Sequence, residues 1–440
     1  MKQHFSLRAA VCVALASTAS SSVFAAGFQV NEHSANGFGR AMAGQAAMPE
    51  NATILATNPA AIIAFDTPQF SAQISYINPS IDIRGDMDVT VFNQSGESVF
   101  ANTYDIGEED IATAAFVPSI FYTAPVNDTM SWGIGAFTNY GLATDYSDSF
   151  NALHFADEAE VMSFTINPAI AYKVSDTLSL GLGVSVTYAE AEIGTSIPQI
   201  FGPLLGSEAL GNLTVIKMSG DDIGFGWNVG AFWQATDTTT LALSYRSETK
   251  LDLEGEIESD LGAIIPAVAE LYNQDGSLSL DLASITELAV DQKLDEQLSV
   301  QASVVFTQWS VFDKLNAELD SGDELLLKEE DFDDSYRFSL GATYLYNDQV
   351  TLRAGYAFDN GAVTTEHRSL SIPDTDRHWY TVGATYALSE TTTIDMAYAY
   401  ITGSTAEVSQ QRALGTIVSD VSATEHAKAN VFSLQINTSF

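Results

Sequence analysis

The sequence predicts an all-β protein: a transmembrane antiparallel β-barrel of about 14 strands whose lumen is closed by an N-terminal plug. Three observations carry that expectation. A secretory leader opens the chain, apolar and small polar residues alternate with a period of two along most of its length, and an aromatic residue, Phe440, ends the last alternating stretch.

Lys2 and Arg8 flank the start, residues 9–19 (AAVCVALASTA) are apolar and small, and Val23-Phe24-Ala25 puts small residues where a cut before Ala26 needs them. The apolar run is shorter than the roughly 20 residues of a spanning helix, so residues 1–25 read as a removed signal peptide. The only cysteine, Cys12, leaves with it. An exported chain without thiols depends on backbone pairing and packing alone. Asp and Glu number 57 against 17 Lys and Arg, a formal charge of −40 that loss of Lys2 and Arg8 makes more negative. Nucleic acid is excluded as a partner. Acid-rich loops can repel anions or hold divalent cations, but solvated loops on an extracellular face are the simpler account.

A chain of 440 residues would ordinarily divide into soluble domains, yet no Pro/Ser-rich linker does so, and no 18-residue apolar run follows the leader. The period of two organises it instead. In LSLGLGVSVTYAE, Leu178, Leu180, Leu182, Val184, Val186 and Tyr188 alternate with Ser, Gly and Thr. GFGWNVGAFW, TLALSYRSE, TLRAGYAFD and TTTIDMAYAY repeat the pattern between short turns such as KVSDT, QATDTT and YNDQ. Strands of a β-sandwich are about half as long and need a second sheet; strands of about ten residues with aromatics near their ends suit a bilayer.

Candidate strand cores fall near 68–82, 111–124, 130–146, 160–174, 177–193, 223–236, 238–255, 280–292, 296–310, 334–347, 349–361, 377–388, 391–402 and 429–440. Residues 194–222 and 256–279 remain as long extracellular segments. The second holds Leu261, Ile264, Ile265, Val268 and Leu271 on one helical face, interrupted at Pro266. Before the first strand, residues 26–66 are rich in Gly and Ala and too hydrophobic for a disordered tail. They read as a plug inside a barrel formed by residues 67–440.

GFQVNEHSANGFGRAMAG, NPAA, NYGLAT, GFGWNVG, YRSETKLDLEG, YRFSLGATYLYND, RAGYAFD and SIPDTDRHW, in this order over the mature chain, resemble the FadL family of outer-membrane long-chain fatty acid transporters. The resemblance implies a 14-stranded barrel closed by an N-terminal hatch. A hydrophobic ligand would pass from an extracellular groove to an inner pocket and leave sideways through the wall into the membrane. It places the wall opening at a strand kink, here Asn139-Tyr140-Gly141, and sets Asn58-Pro59 of the hatch opposite that kink. Read locally, Asn58-Pro59 is equally a turn or a helix start with Pro in its first position. Phe28 matches the family's aromatic at the inner pocket and Lys328 its basic residue near the ligand carboxylate. Where the family carries basic residues after a strand ending in YA, this chain has Glu190, Glu192 and Thr195. A second cation is thus missing, which leaves aromatic hydrocarbons or alkanes as alternative substrates.

No G-x-S-x-G, H-E-x-x-H or paired histidines at metal spacing occur, so neither catalysis, a metal nor a cofactor is expected. A porin needs an open charged constriction and not a plug. The expected partners are a fatty acid or other hydrophobic ligand, outer-membrane lipid and lipopolysaccharide, and the barrel-assembly machinery through Phe440, with the chain a monomer in the bacterial outer membrane.

Overall fold

The computed structural model describes residues 27–263, 265 and 272–440. The leader and its cleavage site lie outside the described residues, as do Ile264, Pro266, Val268 and Leu271 of the expected helical face. Fourteen antiparallel staves form a closed barrel. They are β1 (Gln69–Phe92), β2 (Ser98–Asp105 and Ala115–Asn127), β3 (Met130–Phe137 and Gly141–Asp145), β4 (Glu158–Lys173) and β5 (Leu178–Ser196). Next come β6 (Thr214–Gln234), β7 (Thr239–Arg246 and Thr249–Glu258), β8 (Gln274–Leu282 and Ile285–Lys293) and β9 (Leu298–Thr307 and Lys314–Leu319). The last are β10 (Glu324–Glu329 and Ser335–Asn347), β11 (Val350–Asp359), β12 (Arg377–Ala387), β13 (Thr392–Gly403 and Ala406–Leu414) and β14 (Ile417–Ser439). β1 closes the ring on β14, from Gln69 opposite Ser439 to Val91 opposite Ile417.

The staves run further than the alternation of apolar outer residues suggested. β1 has 24 residues, where about 9–11 cross a bilayer. The polarity of its two faces exchanges part-way along. Below, the inward Ser71, Gln73 and Ser75 are buried while Ile74 faces out; above, Ile77, Ile81, Ile83, Met87 and Val89 turn inward and Asp86 and Asp88 face out. On β5 the same exchange replaces inward Ser179, Ser185 and Thr187 with Ala189 and Ala191, and outward Leu180, Leu182 and Val184 with Glu190. The lower wall is greasy towards lipid and polar within; the upper wall stands in water and is greasy within. Thus β5 and β6 reach Ser196 and resume at Thr214, which shortens the expected 194–222 segment, and β7 and β8 likewise shorten 256–279. Tyr172, Trp132, Trp233, Tyr344 and Tyr386 are exposed next to the short turns, as an interfacial aromatic belt requires.

The chain ahead of β1 lies inside the lower barrel. It makes one helical turn, Ala35–Phe38, and 3-10 turns at Gln45–Ala47, Ala52–Ala56 and Pro59–Ala64, nearly all buried. Wall glycines allow this close approach: a Cβ at Gly181 would stand 2.2 Å from the Ala60 nitrogen, and one at Gly355 would stand 2.2 Å from the Arg40 carbonyl carbon. Charge locks the contact, for Glu50 bridges Arg40 of the same segment (2.5 Å) and Arg353 of β11 (2.6 Å).

Candidate functional site

Above the plug the inward residues of β4, β5 and β8 are Ala159, Val161, Ala191, Ile193, Leu278 and Leu280, which with Phe28 and Phe312 line an apolar cavity. Phe28 is 1% exposed. Its ring stands edge-on to Trp309 (4.6 Å between centroids), Phe312 (5.4 Å) and Tyr140 (6.1 Å). Phe332 closes the cluster at 4.9 Å from Phe312. Edge-on rings form a rigid apolar surface complementary to an alkyl chain or an aromatic ring. Trp309, Phe312 and Phe332 went unrecognised in the sequence, where 296–310 read as one strand. The strand ends at Thr307, a turn at Trp309–Val311 carries the ring inward, and pairing resumes at Lys314. The loss of alternation across WSVFDK was the available signal.

β3 is interrupted at Thr138, Asn139 and Tyr140. Its ladder to β2 stops at Ala136 opposite Ile120 and returns only as a bridge between Thr144 and Ala112. On the other side three residues oppose two of β4, and Ser163 satisfies the freed groups: its hydroxyl donates to the Tyr140 carbonyl (2.7 Å), and the Thr138 hydroxyl donates to the Ser163 carbonyl (3.0 Å). A stretch of wall between β2 and β3 is therefore unpaired. From inside, the start of the plug takes those backbone groups: Val30 N–H donates to the Asn139 carbonyl (2.6 Å) and Gly141 N–H to the Phe28 carbonyl (2.9 Å). The Tyr140 side chain turns inward, 4% exposed, and donates to the Ala283 carbonyl.

Asn58 and Pro59 lie elsewhere. Asn58 caps the turn Pro59–Ala64 by accepting from Ala60 N–H (3.0 Å), so the helix-start reading describes it. Its amide donates to the Ala231 carbonyl of β6 (3.2 Å), and Pro59 rests on Gly181 of β5. The residues that face Asn139–Gly141 are Phe28–Val30, a correction to the expected pairing. It arises because the plug reaches the kink with its first residues, while Asn58 sits low in the barrel where the wall glycines are.

Lys328 projects from the upper piece of β10. Its ammonium donates to Ser369 (2.5 Å) and Ser371 (3.0 Å) and pairs with Glu330 at 2.7 Å. Burial pushes the Glu330 carboxyl above its ordinary range, against the pull of Lys328. Glu190 and Glu192 point out of the barrel, where Glu192 pairs with Lys217 at 2.6 Å, so they are not lumenal counterparts of a missing cation.

A closed barrel, greasy outside at bilayer height, plugged below and apolar within above, is an outer-membrane transport barrel. The chain belongs to the outer membrane protein transport family OMPP1/FadL/TodX, whose family model matches residues 16–440. It is 36% identical over 397 residues to the long-chain fatty acid transport protein of Escherichia coli (strain K12), covering 84% of this chain and 85% of that one. To outer membrane protein P1 of Haemophilus influenzae it is 32% identical over 444 residues, covering 94% and 95%. A Pseudomonas aeruginosa FadL homologue shares the fold with a TM-score of 0.82 at 24% identity, over 94% of this chain and 100% of that one. The Pseudomonas putida toluene transporter TodX does so at 0.64 and 16%, over 88% and 94%. The family is one of outer-membrane transporters, and this chain is an outer-membrane protein.

Proposed function

We propose that the protein takes up long-chain fatty acids through the apolar upper lumen and releases them sideways into the membrane between β2 and β3. The observation that carries this reading is the unpaired wall at Thr138–Tyr140, closed from within by the same segment that places Phe28 in the apolar cavity. An alkyl chain loses roughly 0.8 kcal/mol per methylene exposed to water, so a greasy path ending in lipid suits it better than a wet pore. In this reading Asn139, Tyr140 and Gly141 form the exit, Phe28 its inner stop, and Lys328 receives the carboxylate; Phe440, 70% exposed, is the handle for the assembly machinery of a monomeric barrel. The Lys328–Glu330 pair favours one second reading, an uncharged hydrocarbon. Host cells lacking the gene are expected to lose uptake of labelled oleate and to regain it with the gene restored. Restored uptake of toluene but not oleate would select the hydrocarbon.

The head-group role has its own test. Glu330→Gln should free the Lys328 ammonium and tighten binding of a long-chain alkanesulfonate about tenfold, the scale of one charge-assisted hydrogen bond. Lys328→Ala should weaken sulfonate binding while sparing an alkane. As pH falls through the raised pKa of Glu330, its carboxyl becomes neutral and sulfonate affinity of the wild type should climb, whereas Glu330→Gln stays level. Equal losses for sulfonate and alkane in Lys328→Ala would reject the role.

A further inference from the structure

We propose that Arg412, Ser419 and His154 form a second carboxylate-binding site, under the extracellular loops and separate from Lys328, that holds the head group of an alkyl carboxylate whose chain lies over Ile200, Leu204 and Leu414. The proposal rests on the transport reading above.

Arg412 stands on the upper piece of β13 directly opposite Ser419 of β14, on the inward face that Val408 and Val421 share. Its guanidinium is half-buried and donates to the His154 carbonyl. Among the described residues no carboxylate pairs with it, although acids outnumber bases 57 to 17 in this chain. By contrast Arg40, Arg353, Arg368, Arg377, Lys217 and Lys328 each hold one. Among the described residues Arg246 and Arg337 also have no ion-pair partner, but each presses on a ring, Phe137 at 5.3 Å and Trp379 at 5.2 Å. Burial pulls the Arg412 pKa down and no acid opposes it.

Two further donors beside Arg412 are unused. The Ser419 hydroxyl is fully buried and has no hydrogen-bond partner among the described residues. Both ring nitrogens of His154, 1% exposed, are likewise unpartnered, with the imidazole against Phe155 (4.5 Å) and Phe201 (4.8 Å). Burial, then Arg412, lower its pKa to about 3, so it stays neutral and keeps one N–H to give. Buried polar groups are as a rule satisfied, and a cluster of unmet donors around an unpaired cation is the complement of an oxyanion. Ile200, Leu204 and Leu414, partly buried against the same cluster, supply the apolar surface an alkyl chain needs. In so acidic a barrel a fatty acid anion meets general repulsion. Screening confines that repulsion to about 8 Å at physiological salt, so a local unpaired cation decides where the head group stops.

The full-length protein in lipid nanodiscs, titrated with dodecanoate and with dodecanol, tests this. Arg412→Gln should weaken dodecanoate about tenfold and leave dodecanol unchanged, Arg412→Lys should recover most of the loss, and the effect should add to that of Lys328→Ala. Should Arg412→Gln fail to fold, Ser419→Ala, which removes one buried hydroxyl, should weaken dodecanoate about threefold with dodecanol unchanged. Unchanged dodecanoate binding in these variants, or equal losses for acid and alcohol, overturns the site while leaving the transport reading standing. A wild-type chain that binds dodecanol but no dodecanoate overturns both.

Discussion

Glu50→Ala is expected to loosen the plug and turn a closed barrel into an ion-conducting one. Glu50 is the shared counter-ion of two buried guanidinium groups, Arg40 within the plug and Arg353 on the wall, and also accepts from the Asn36 amide (2.6 Å). Removing one partner of a buried pair leaves uncompensated charge at a cost of about 3–5 kcal/mol. Here the charges left are two like cations, Arg40 in the plug and Arg353 on the wall, and Arg353 keeps a nearby carboxylate, Asp395 at 3.9 Å. Burial by itself would raise the Glu50 pKa, but Arg353 and Arg40 together carry it down to about 2. The carboxylate therefore contributes its full stabilisation above the ordinary carboxylate pKa and loses it as pH falls from there towards 2. Single-channel recordings in planar bilayers should show openings in Glu50→Ala at neutral pH, and in the wild type only as pH falls through that window. The barrel should stay heat-modifiable throughout, since its backbone ladder is untouched. Conductance of Glu50→Ala equal to wild type at both pH values would mean that the glycine contacts alone hold the plug.

A disulfide between positions 29 and 140 is expected to abolish uptake. Gln29 and Tyr140 face each other across an antiparallel bridge, where Cα atoms stand about 4.5–5.5 Å apart, within the roughly 4.4–6.8 Å a disulfide spans. The chain after residue 25 contains no other cysteine, so Gln29→Cys with Tyr140→Cys adds a single possible pair. Oxidised, it would tie the start of the plug to the gap in β3; if fatty acid leaves there, uptake should drop about 100-fold, and a reductant should restore it to the level of the two single variants. Binding of ligand to the cell surface should persist. Full uptake by the oxidised protein would place the exit elsewhere or require no plug movement.

The plan of the molecule was legible locally. Alternation in stretches such as Leu178–Tyr188 reports which side of a wall each residue faces, and fourteen such stretches with Phe440 at the end define a barrel without any long-range information. Residues 26–66 read as too rich in apolar groups for a flexible tail, and the described residues 27–47 among them are buried. The upper staves were harder. Above the bilayer the outward residue becomes charged and the inward one apolar, as at Glu190 and Ala191, and staves break at 247–248 and 283–284, which shifts the phase, and at 308–313, which interrupts the pattern without shifting it. A reader following the outer greasy stripe loses the strand where the stripe changes sides.

What the sequence by itself determined is the side of the wall for the stave residues at bilayer height, since a pleated strand must alternate and lipid and lumen demand opposite chemistry. What only the tertiary structure decided is which residues meet across the lumen. Phe28 bonds to Gly141, Asn58 to Ala231, Lys328 to Ser369, and Arg412 to His154. These partners lie tens to hundreds of positions apart, and their meeting depends on ring closure, strand stagger and the height at which the plug stops. A period of two carries no record of those quantities, because it repeats identically along every stave.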